Sequence, residues 1–360
     1  MRPILATISQ SALRHNLAVV RQHAPHSQIL AAVKANAYGH GIANVADALS
    51  TVDGFAVLDL AEAITLREMG FKKTIVLLEG IFSTDELAQV QTYDLSMVVH
   101  HHTQLEMLEQ TKFGKAYSVY LKMNTGMNRL GFAPHAFSQA LARVEKLTHQ
   151  VTLMTHFAAA DERLGVNEAL AVFNQVTHHL PYPKSLANSA AILDHPQTHA
   201  QWVRPGIMLY GASPSDISAN QYQLQAVMRL NSQIISTQQL QTGQALGYGN
   251  RFVASKPMRV GVVACGYADG YPRHAGQYSK DNQLQGVPTA VAGKRTQTVG
   301  RVSMDMLFAD ITNIPEATVG SPVELWGQQV AVDEVAQACG TIGYELLCAV
   351  ASRVSFKVVD

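Results

Sequence analysis

The stretch AAVKANAYGHG, Ala31 to Gly41, sets a lysine at the end of an apolar run and follows it with Asn, Tyr, Gly, His and Gly. A lysine that needs only water is rarely placed so. An ammonium partly stripped of its hydration favours the neutral amine, which is nucleophilic toward aldehydes, so Lys34 points to Schiff-base chemistry with a carbonyl compound. A rim lysine paired with a carboxylate is the plain structural alternative. Further on, KMNTGMNRLGF carries Lys122 and Arg129, VTLMTHF ends near His156, ANSAA holds Asn188 and Ser189, and WVRPGI holds Arg204 and Gly206. Each of these also stands beside an apolar run.

The elements that must position them repeat one rhythm through the first two thirds of the chain. A short apolar run is followed by a polar or glycine-bearing turn, then a helical pattern. The runs are ILAAV (29–33), GFAVLDL (54–60), TIVLL (74–78), LSMVV (95–99), YSVYLKM (117–123), VTLMTHF (151–157), KSLA (184–187) and GIMLY (206–210). Runs that are apolar throughout suit parallel strands buried on both faces. Between them, Leu13, Leu17 and Val20 keep a helical spacing, and Ser83/Glu86 and Thr103/Glu106 have the form of capping boxes. Eight strands alternating with helices predict an α/β fold with an N-terminal (β/α)8 TIM-type barrel over residues 1–227, its first residues packing with the C-terminal domain. From 228 to 360 the pattern changes to strand-like segments such as MRLNSQIIS, MRVGVVACGY and SPVELWG, joined by Gly, Pro and Asn turns, which predicts that this smaller C-terminal domain is mainly β.

A barrel of this kind carries its chemistry at the C-terminal ends of its strands. There Lys34, Lys122, Arg129, His156, Ser189 and Arg204 would gather around one small-molecule site. A reactive lysine there suits a carbonyl substrate or pyridoxal phosphate (PLP). Ser189 and the Gly206–Ile207 backbone can cradle a phosphate, because glycine lets donors approach closely. No acidic residue stands in these motifs to pair with a protonated pyridine nitrogen, and Arg204 is the candidate partner instead.

Composition removes other classes. The 27 Lys and Arg balance 27 Asp and Glu, which gives no global pull toward nucleic acid or an anionic membrane. Three cysteines without paired spacing argue against a disulfide framework or zinc site. The HHH run at 100–102 invites a metal, but neighbouring residues on a strand point to opposite faces, so the expected metal content is none. No apolar run reaches membrane-spanning length and the start lacks a signal-type apolar core, so a soluble cytoplasmic protein is expected.

AVKANAYGHG, NTGMNRLGF, THFA, ANSAA, RPGIMLYG, GYADGYPR and VGRVSMDM stand in the order found in the alanine racemases, and the chain resembles that family over essentially its whole length. The resemblance implies a PLP-dependent isomerase that interconverts L- and D-alanine. It implies that Lys34 is the Schiff-base lysine and one base, and that Tyr267 is the second base on the opposite face of Cα. Tyr38, Ser189, Gly206 and Ile207 match positions that hold the cofactor phosphate, and Arg204 matches the arginine on the pyridine nitrogen. His156 matches a residue bonded to Tyr267 and Arg204. Arg129 and the backbone N–H of Met304 match the clamp on the substrate carboxylate, a geometry suited to a guanidinium fork. Lys122 matches a lysine that is carbamylated in some members. Tyr267 would reach the active site of a partner subunit, which implies a homodimer with composite sites.

There are departures. Asn124 stands where many members have an acidic residue, which puts a local charge role in doubt. Ser352 stands where some have a phosphate-holding tyrosine, and Ser303 where others have cysteine. Tyr248 and Tyr271 read as packing or entrance residues, Asp305 as a hydrogen-bond acceptor, and Cys265 as a small buried residue. A broader-specificity serine racemase, a decarboxylase sharing the barrel, and a catalytically silent PLP carrier are the alternatives. Making D-alanine and breaking it down both fit, although the KMNTGMNRLGF form and compact length are similar to proteobacterial catabolic members.

Overall fold

The computed structural model describes residues 2–112, 114, 116–148, 150–273, 275 and 286–360. It divides into two compact units, one of Arg14–Leu209 with Pro214–Leu224, the other of Met1–Leu13, Tyr210–Ser213 and Gln225–Asp360. The chain begins with β1 (Leu5–Ser9) and the helix Gln10–His23, where Leu13, Leu17 and Val20 are buried as their spacing predicts.

The first unit is a closed parallel barrel. Its strands are β2 (Gln28–Ala32), β3 (Gly54–Val57), β4 (Thr74–Leu77), β5 (Ser96–Val99), β6 (Ser118–Lys122), β7 (Gln150–Met154), β8 (Lys184–Ser185) and β9 (Trp202–Val203). Helices alternate with the strands, as the sequence rhythm requires. Ile29, Leu30, Phe55, Ile75, Val76, Leu77 and Val98 are all fully buried. Each such side chain contributes about 1.5–3 kcal/mol over an exposed one, so burial sets the strand register.

Three local expectations are corrected. The eighth strand is not GIMLY: β9 is Trp202–Val203, which pairs with β2 through Gln28↔Trp202 and Ile29↔Val203. Ile207–Tyr210 is a short 3-10 turn instead. Pro205 has no N–H to give a ladder, and its carbonyl accepts from Ala32 N at 2.9 Å, so the strand stops there. The run GIMLY is apolar because Ile207, Met208 and Leu209 are buried in a turn. Ser83 does not cap a helix: the helix is Glu86–Thr92 with Asp85 before it, and the Glu86 carboxylate accepts from Phe82 N at 2.6 Å. Nor does Thr103, since the helix His102–Gln110 is capped by His101, whose Nδ1 accepts from Thr103 N at 3.3 Å. The three consecutive histidines thus have separate partners. His100 Nε2 bonds the Glu79 carbonyl at 3.1 Å, and the His102 ring meets Phe132 edge-on at 5.0 Å between centroids.

The second unit is mainly antiparallel. It contains β10 (Met228–Leu240), β11 (Ala245–Leu246), β12 (Phe252–Val253), β13 (Met258–Val263), β14 (Pro288–Val291), β15 (Lys294–Gln297), β16 (Leu307–Asp310), β17 (Pro322–Trp326) and β18 (Ser355–Val359). The main sheet runs β15-β14-β17-β10-β1-β18, with β13 on β10 and β16 on β13. The long strand β10 alternates buried and more exposed residues through its first half and shifts register near Ile234, where it leaves β17 for β13. Only β1 and β18, near the two chain ends, pair in parallel among these strands as described. Cys265 is fully buried, which pushes its thiol well up, as suits a packing residue.

Gly211 joins two segments of this unit at φ +81°, and a Cβ there would lie 1.8 Å from the Gln225 carbonyl oxygen. Gly70 has φ +91° but open space around it. Gly211→Ala is therefore expected to lower stability by about 2–4 kcal/mol and Gly70→Ala by about 1 kcal/mol, read as shifts of the urea unfolding midpoint.

Candidate active site

Lys34 lies two residues past the end of β2 and opens an unusual turn. Ala35, Asn36, Ala37 and Tyr38 all have φ between +51° and +56°, so the chain makes one left-handed helical turn without a glycine in it. Such residues cost about 1–2 kcal/mol each, and the surroundings must hold them. His40 Nδ1 bonds the carbonyls of Ala37 (3.0 Å) and Tyr38 (2.9 Å). Both partners are acceptors, so Nδ1 carries the proton. Glu62 accepts from Asn36 N (2.9 Å) and Leu58 N (3.0 Å), which ties the turn to the end of β3. Asn36 Oδ1 accepts from Ile42 N at 3.0 Å. The result fixes Lys34 at one end of the turn and the Tyr38 phenol at the other.

Tyr38 meets Gly206 closely enough that a Cβ on the glycine would lie 2.5 Å from the phenol oxygen. Ser189, buried at the start of the helix Ser189–Asp194, accepts from Gly206 N at 2.9 Å. Asn188 caps that helix by accepting from Ala191 N at 3.1 Å. Ile207 begins the following 3-10 turn, whose first N–H groups have no partner within it. The Tyr38 and Ser189 hydroxyls thus both lie against Gly206, with Ile207 N–H next in the chain, groups of a kind suited to a phosphate.

Arg204 follows β9 and is buried. Its Nη1 donates to Ser185 Oγ (2.8 Å), and its Nη2 donates to the carbonyls of Thr155 (2.8 Å) and Leu186 (3.1 Å) and to His156 Nδ1 (3.3 Å). Among the described residues none of these bonds uses Nε. Burial draws the guanidinium down to about 10, opposed by the nearby Tyr120, so it keeps its proton at neutral pH. Because arginine only donates, His156 Nδ1 is an acceptor and a neutral ring carries its proton on Nε2. The ring is neutral: burial first, then Arg204, Lys122, Arg129 and Lys34, hold it well below its ordinary value.

Lys122, the last residue of β6, is buried and drawn down to about 8 by desolvation, then by Arg204, Arg129 and Lys34, with Glu79 acting against them. Arg129 is exposed on the loop after β6. That loop is built by Asn124, whose Oδ1 accepts from Gly126 N (3.1 Å) and Asn128 N (3.0 Å) while its Nδ2 donates to Asn128 Oδ1 (3.0 Å). A carboxylate could not make the last bond. Asn124 thus has a loop-building role with no charge in it.

The other residues singled out in the sequence lie in the second unit. Tyr267 opens a 3-10 turn, Tyr267–Asp269, docked on the loop before β16. Tyr267 N donates to Ser303 O (3.1 Å) and Ala268 N to Met304 O (3.0 Å). Gly266 allows this approach, since a Cβ there would lie 2.4 Å from both carbonyl oxygens. Tyr267 is 37% and Met304 53% exposed, although both are large and partly apolar. They line a cavity of about 520 Å³ with Tyr248, Arg273, Arg301 and Asp305. Asp305 is a hydrogen-bond acceptor, taking a bond from Arg353 Nη2 at 2.6 Å. Tyr271 is buried and stacks on Trp326 at 6.0 Å, as a packing residue, whereas Tyr248 is exposed in the cavity wall. Ser352 is exposed.

Residues 8–214 match the family model for the N-terminal domain of alanine racemase, and residues 227–358 match that for its C-terminal domain. The chain belongs to the alanine racemase family. It is 52% identical to the alanine racemase of Nitrosospira multiformis over 359 residues, 98% of each chain. Its structure resembles the biosynthetic alanine racemase of Pseudomonas aeruginosa with a TM-score of 0.95 at 44% identity, covering 100% of both chains. It also resembles an alanine racemase from Bartonella henselae described with covalently bound pyridoxal phosphate, with a TM-score of 0.87 at 26% identity over 100% of both.

For this family member the sequence motifs located Lys34, Tyr38, Lys122, His156, Ser189 and Arg204 past strand ends of one barrel. They did not reveal His40 or Glu62 as the groups that hold the left-handed turn. The only hint was Gly39 and Gly41, which mark a tight turn without its hand.

His40 supplies a pH test. Its imidazole is fully buried, and desolvation lowers it to about 4, against the two carbonyl bonds. Between the ordinary value of 6.5 and about 4 the unfolded chain binds a proton that the folded chain refuses. This contribution to stability is complete above 6.5 and is lost as the pH falls, by about 3 kcal/mol at pH 4. Urea unfolding of wild type and His40→Asn, whose amide can still donate to both carbonyls, should differ by this pH-dependent loss.

Proposed function

We propose that this chain interconverts L- and D-alanine by two-base proton transfer at Cα, with Lys34 and Tyr267 as the bases, in a homodimer whose active sites each combine residues of both subunits. The carrying observation is the group of cations Lys34, Lys122, Arg129 and Arg204 gathered around His156, the other three also acting on Lys122. Such a group calls for an anionic ligand with more than one charge.

PLP fits what is present. The Tyr38 and Ser189 hydroxyls with the Gly206 and Ile207 N–H groups suit its phosphate, and the close Tyr38–Gly206 approach explains why no side chain stands at 206. Arg204 Nε is left over by the guanidinium's other bonds and suits the pyridine nitrogen, which an arginine protonated at neutral pH keeps unprotonated. When bound, PLP supplies an aldehyde that joins an amine and a ring that draws electron density from Cα.

The chain's own groups then do the rest. Lys34 Nζ would hold PLP through its aldehyde, and as a free amine it would take and return the proton on the D-alanine face. Tyr267 of the partner subunit serves the L-alanine face through its phenol oxygen. A phenol with an ordinary pKa of about 10 is a weak base at neutral pH and needs positive surroundings. His156 Nε2–H, aligned by Arg204, donates to that oxygen and couples it to the buried guanidinium. Arg129 and Met304 N–H hold the substrate carboxylate, which a decarboxylase would have to release. The exposure of Tyr267 and Met304 on one cavity supports a partner in this region.

Mixing inactive Lys34→Ala and Tyr267→Ala proteins under subunit exchange should restore about one working site per mixed dimer. No recovery despite proven exchange would rule out composite sites.

Lys122 adds a chemical detail. With its amine lowered to about 8, a usable fraction is neutral at neutral pH. Carbon dioxide adds to that nitrogen, an N–C bond forms and a proton leaves, which turns a buried cation among cations into an anion that braces Arg129. Isotopically labelled bicarbonate should give a carbamate carbon signal in wild type and none in Lys122→Arg. An unlabelled wild-type lysine would remove this proposal.

We take supply of D-alanine as the role, in line with the P. aeruginosa neighbour described as biosynthetic. The functional domains are proposed to divide at 227/228, the compartment to be the cytoplasm. None of the three cysteines is in a disulfide, as suits a reducing compartment. Among the described residues no helix is long and apolar enough to cross a membrane.

A further inference from the structure

The turn that carries Tyr267 ends on Asp269, a carboxylate with no exposed surface. Its Oδ2 accepts from Gly266 N at 2.9 Å and from Arg2 Nη2 at 3.1 Å, and its Oδ1 accepts from Arg353 Nε at 2.7 Å. Both arginines also reach the segment after Met304. Arg2 Nη2 donates to the Asp305 carbonyl at 2.8 Å, and Arg353 Nη2 to Asp305 Oδ1 at 2.6 Å. The Asp269 backbone is engaged as well, its carbonyl accepting from Ala351 N at 3.1 Å.

The geometry points to Asp269, Arg2 and Arg353 as positioning residues that lock the Tyr267 phenol and the Met304 N–H into one rigid unit. None of the three has to touch substrate. A carboxylate buried without its cations is costly, so the pair of guanidinium groups and the turn stay together or come apart together. The two segments so joined are those assigned to the second base and to the carboxylate clamp. The backbone bonds from Tyr267 N and Ala268 N already join them, and the Asp269–arginine bridge braces that junction from residues 2 and 353. Gly270, at φ +99°, seals the far side, since a Cβ there would lie 2.2 Å from the Ala349 carbonyl.

This inference rests on Tyr267 being the base for the L-alanine face, and the test separates the two ideas. Arg353→Gln, at a half-exposed side chain, breaks the link with little risk to folding, and Asp269→Asn removes the central charge. Exchange of the α-proton with deuterated solvent is measured without inversion, from L-alanine and from D-alanine, in the PLP-loaded enzyme. Loss of positioning should slow the L-alanine exchange about tenfold to a hundredfold and leave the D-alanine exchange near wild type. Arg353→Lys, which keeps charge without the fork, should recover part of the loss. Fluorotyrosine placed at 267 reports position directly, and its resonance should broaden or split in Arg353→Gln.

Equal slowing from both enantiomers together with an unchanged fluorine resonance would overturn the clamp. Tyr267→Phe is the control for the base itself. If it slows both exchanges alike, the base assignment fails, while the fluorine signal still decides whether the clamp positions residue 267.

Discussion

Positive charge gathered in a partly dry place is the constraint from which the barrel's design follows. Lys122, Arg204 and His156 are each pushed toward their neutral forms first by burial, and the lysine and the histidine next by the neighbouring cations. Among the described residues, Glu79 is the one charge that acts against them on Lys122. Left alone, such a cluster is unfavourable, because mutual repulsion grows as water is excluded. A ligand carrying a phosphate and a carboxylate relieves it twice over. Stability of the empty barrel is thus traded for affinity, and the neutral His156 and protonated Arg204 are consequences of the same crowding.

The second constraint is backbone geometry. Four successive residues in the left-handed region are an expensive way to turn a chain, yet they hold a lysine and a tyrosine at the two ends of one tight turn. The strain is offset by groups that lie outside the site, His40 beneath the turn and Glu62 in the first turn of the helix after β3. In the other unit Asp269 plays a similar part for Tyr267. In both places the residue assigned to chemistry is flanked by a buried polar side chain that ligand never needs to meet. The alanine racemase family is recognised by the chemical residues, but the shape of the site is set by these supports.

Much of the fold was legible because parallel strands buried on both faces write themselves as continuous apolar runs. Seven of the eight runs proposed for the barrel hold its strands. The eighth misled, since GIMLY is apolar for burial in a 3-10 turn, and only the proline before it marked the strand's end. Both caps lie two residues from the pattern, since Ser83 and Thr103 obey it while Asp85 and His101 hold the positions. The strand-end cations and Ser189 could be picked out from position alone, but their roles came from resemblance. Neither route exposed the left-handed turn, as Ala and Tyr carry no mark of positive φ. Nor could any local pattern join residues 2, 269, 305 and 353.

The pairing of β1 with both β10 and β18 carries an implication for how the polypeptide is made. Leu5–Ser9 is made before the barrel strands, yet one of its edges is completed only by Ser355–Val359, which is made after them. The barrel strands lie between them in the message and can assemble while translation proceeds, because their neighbours in the cylinder are mostly neighbours in sequence. Meanwhile β1 must wait, exposed along an unpaired edge, until β18 is available. The β unit can therefore first close only after both barrel and C-terminal strands have been made.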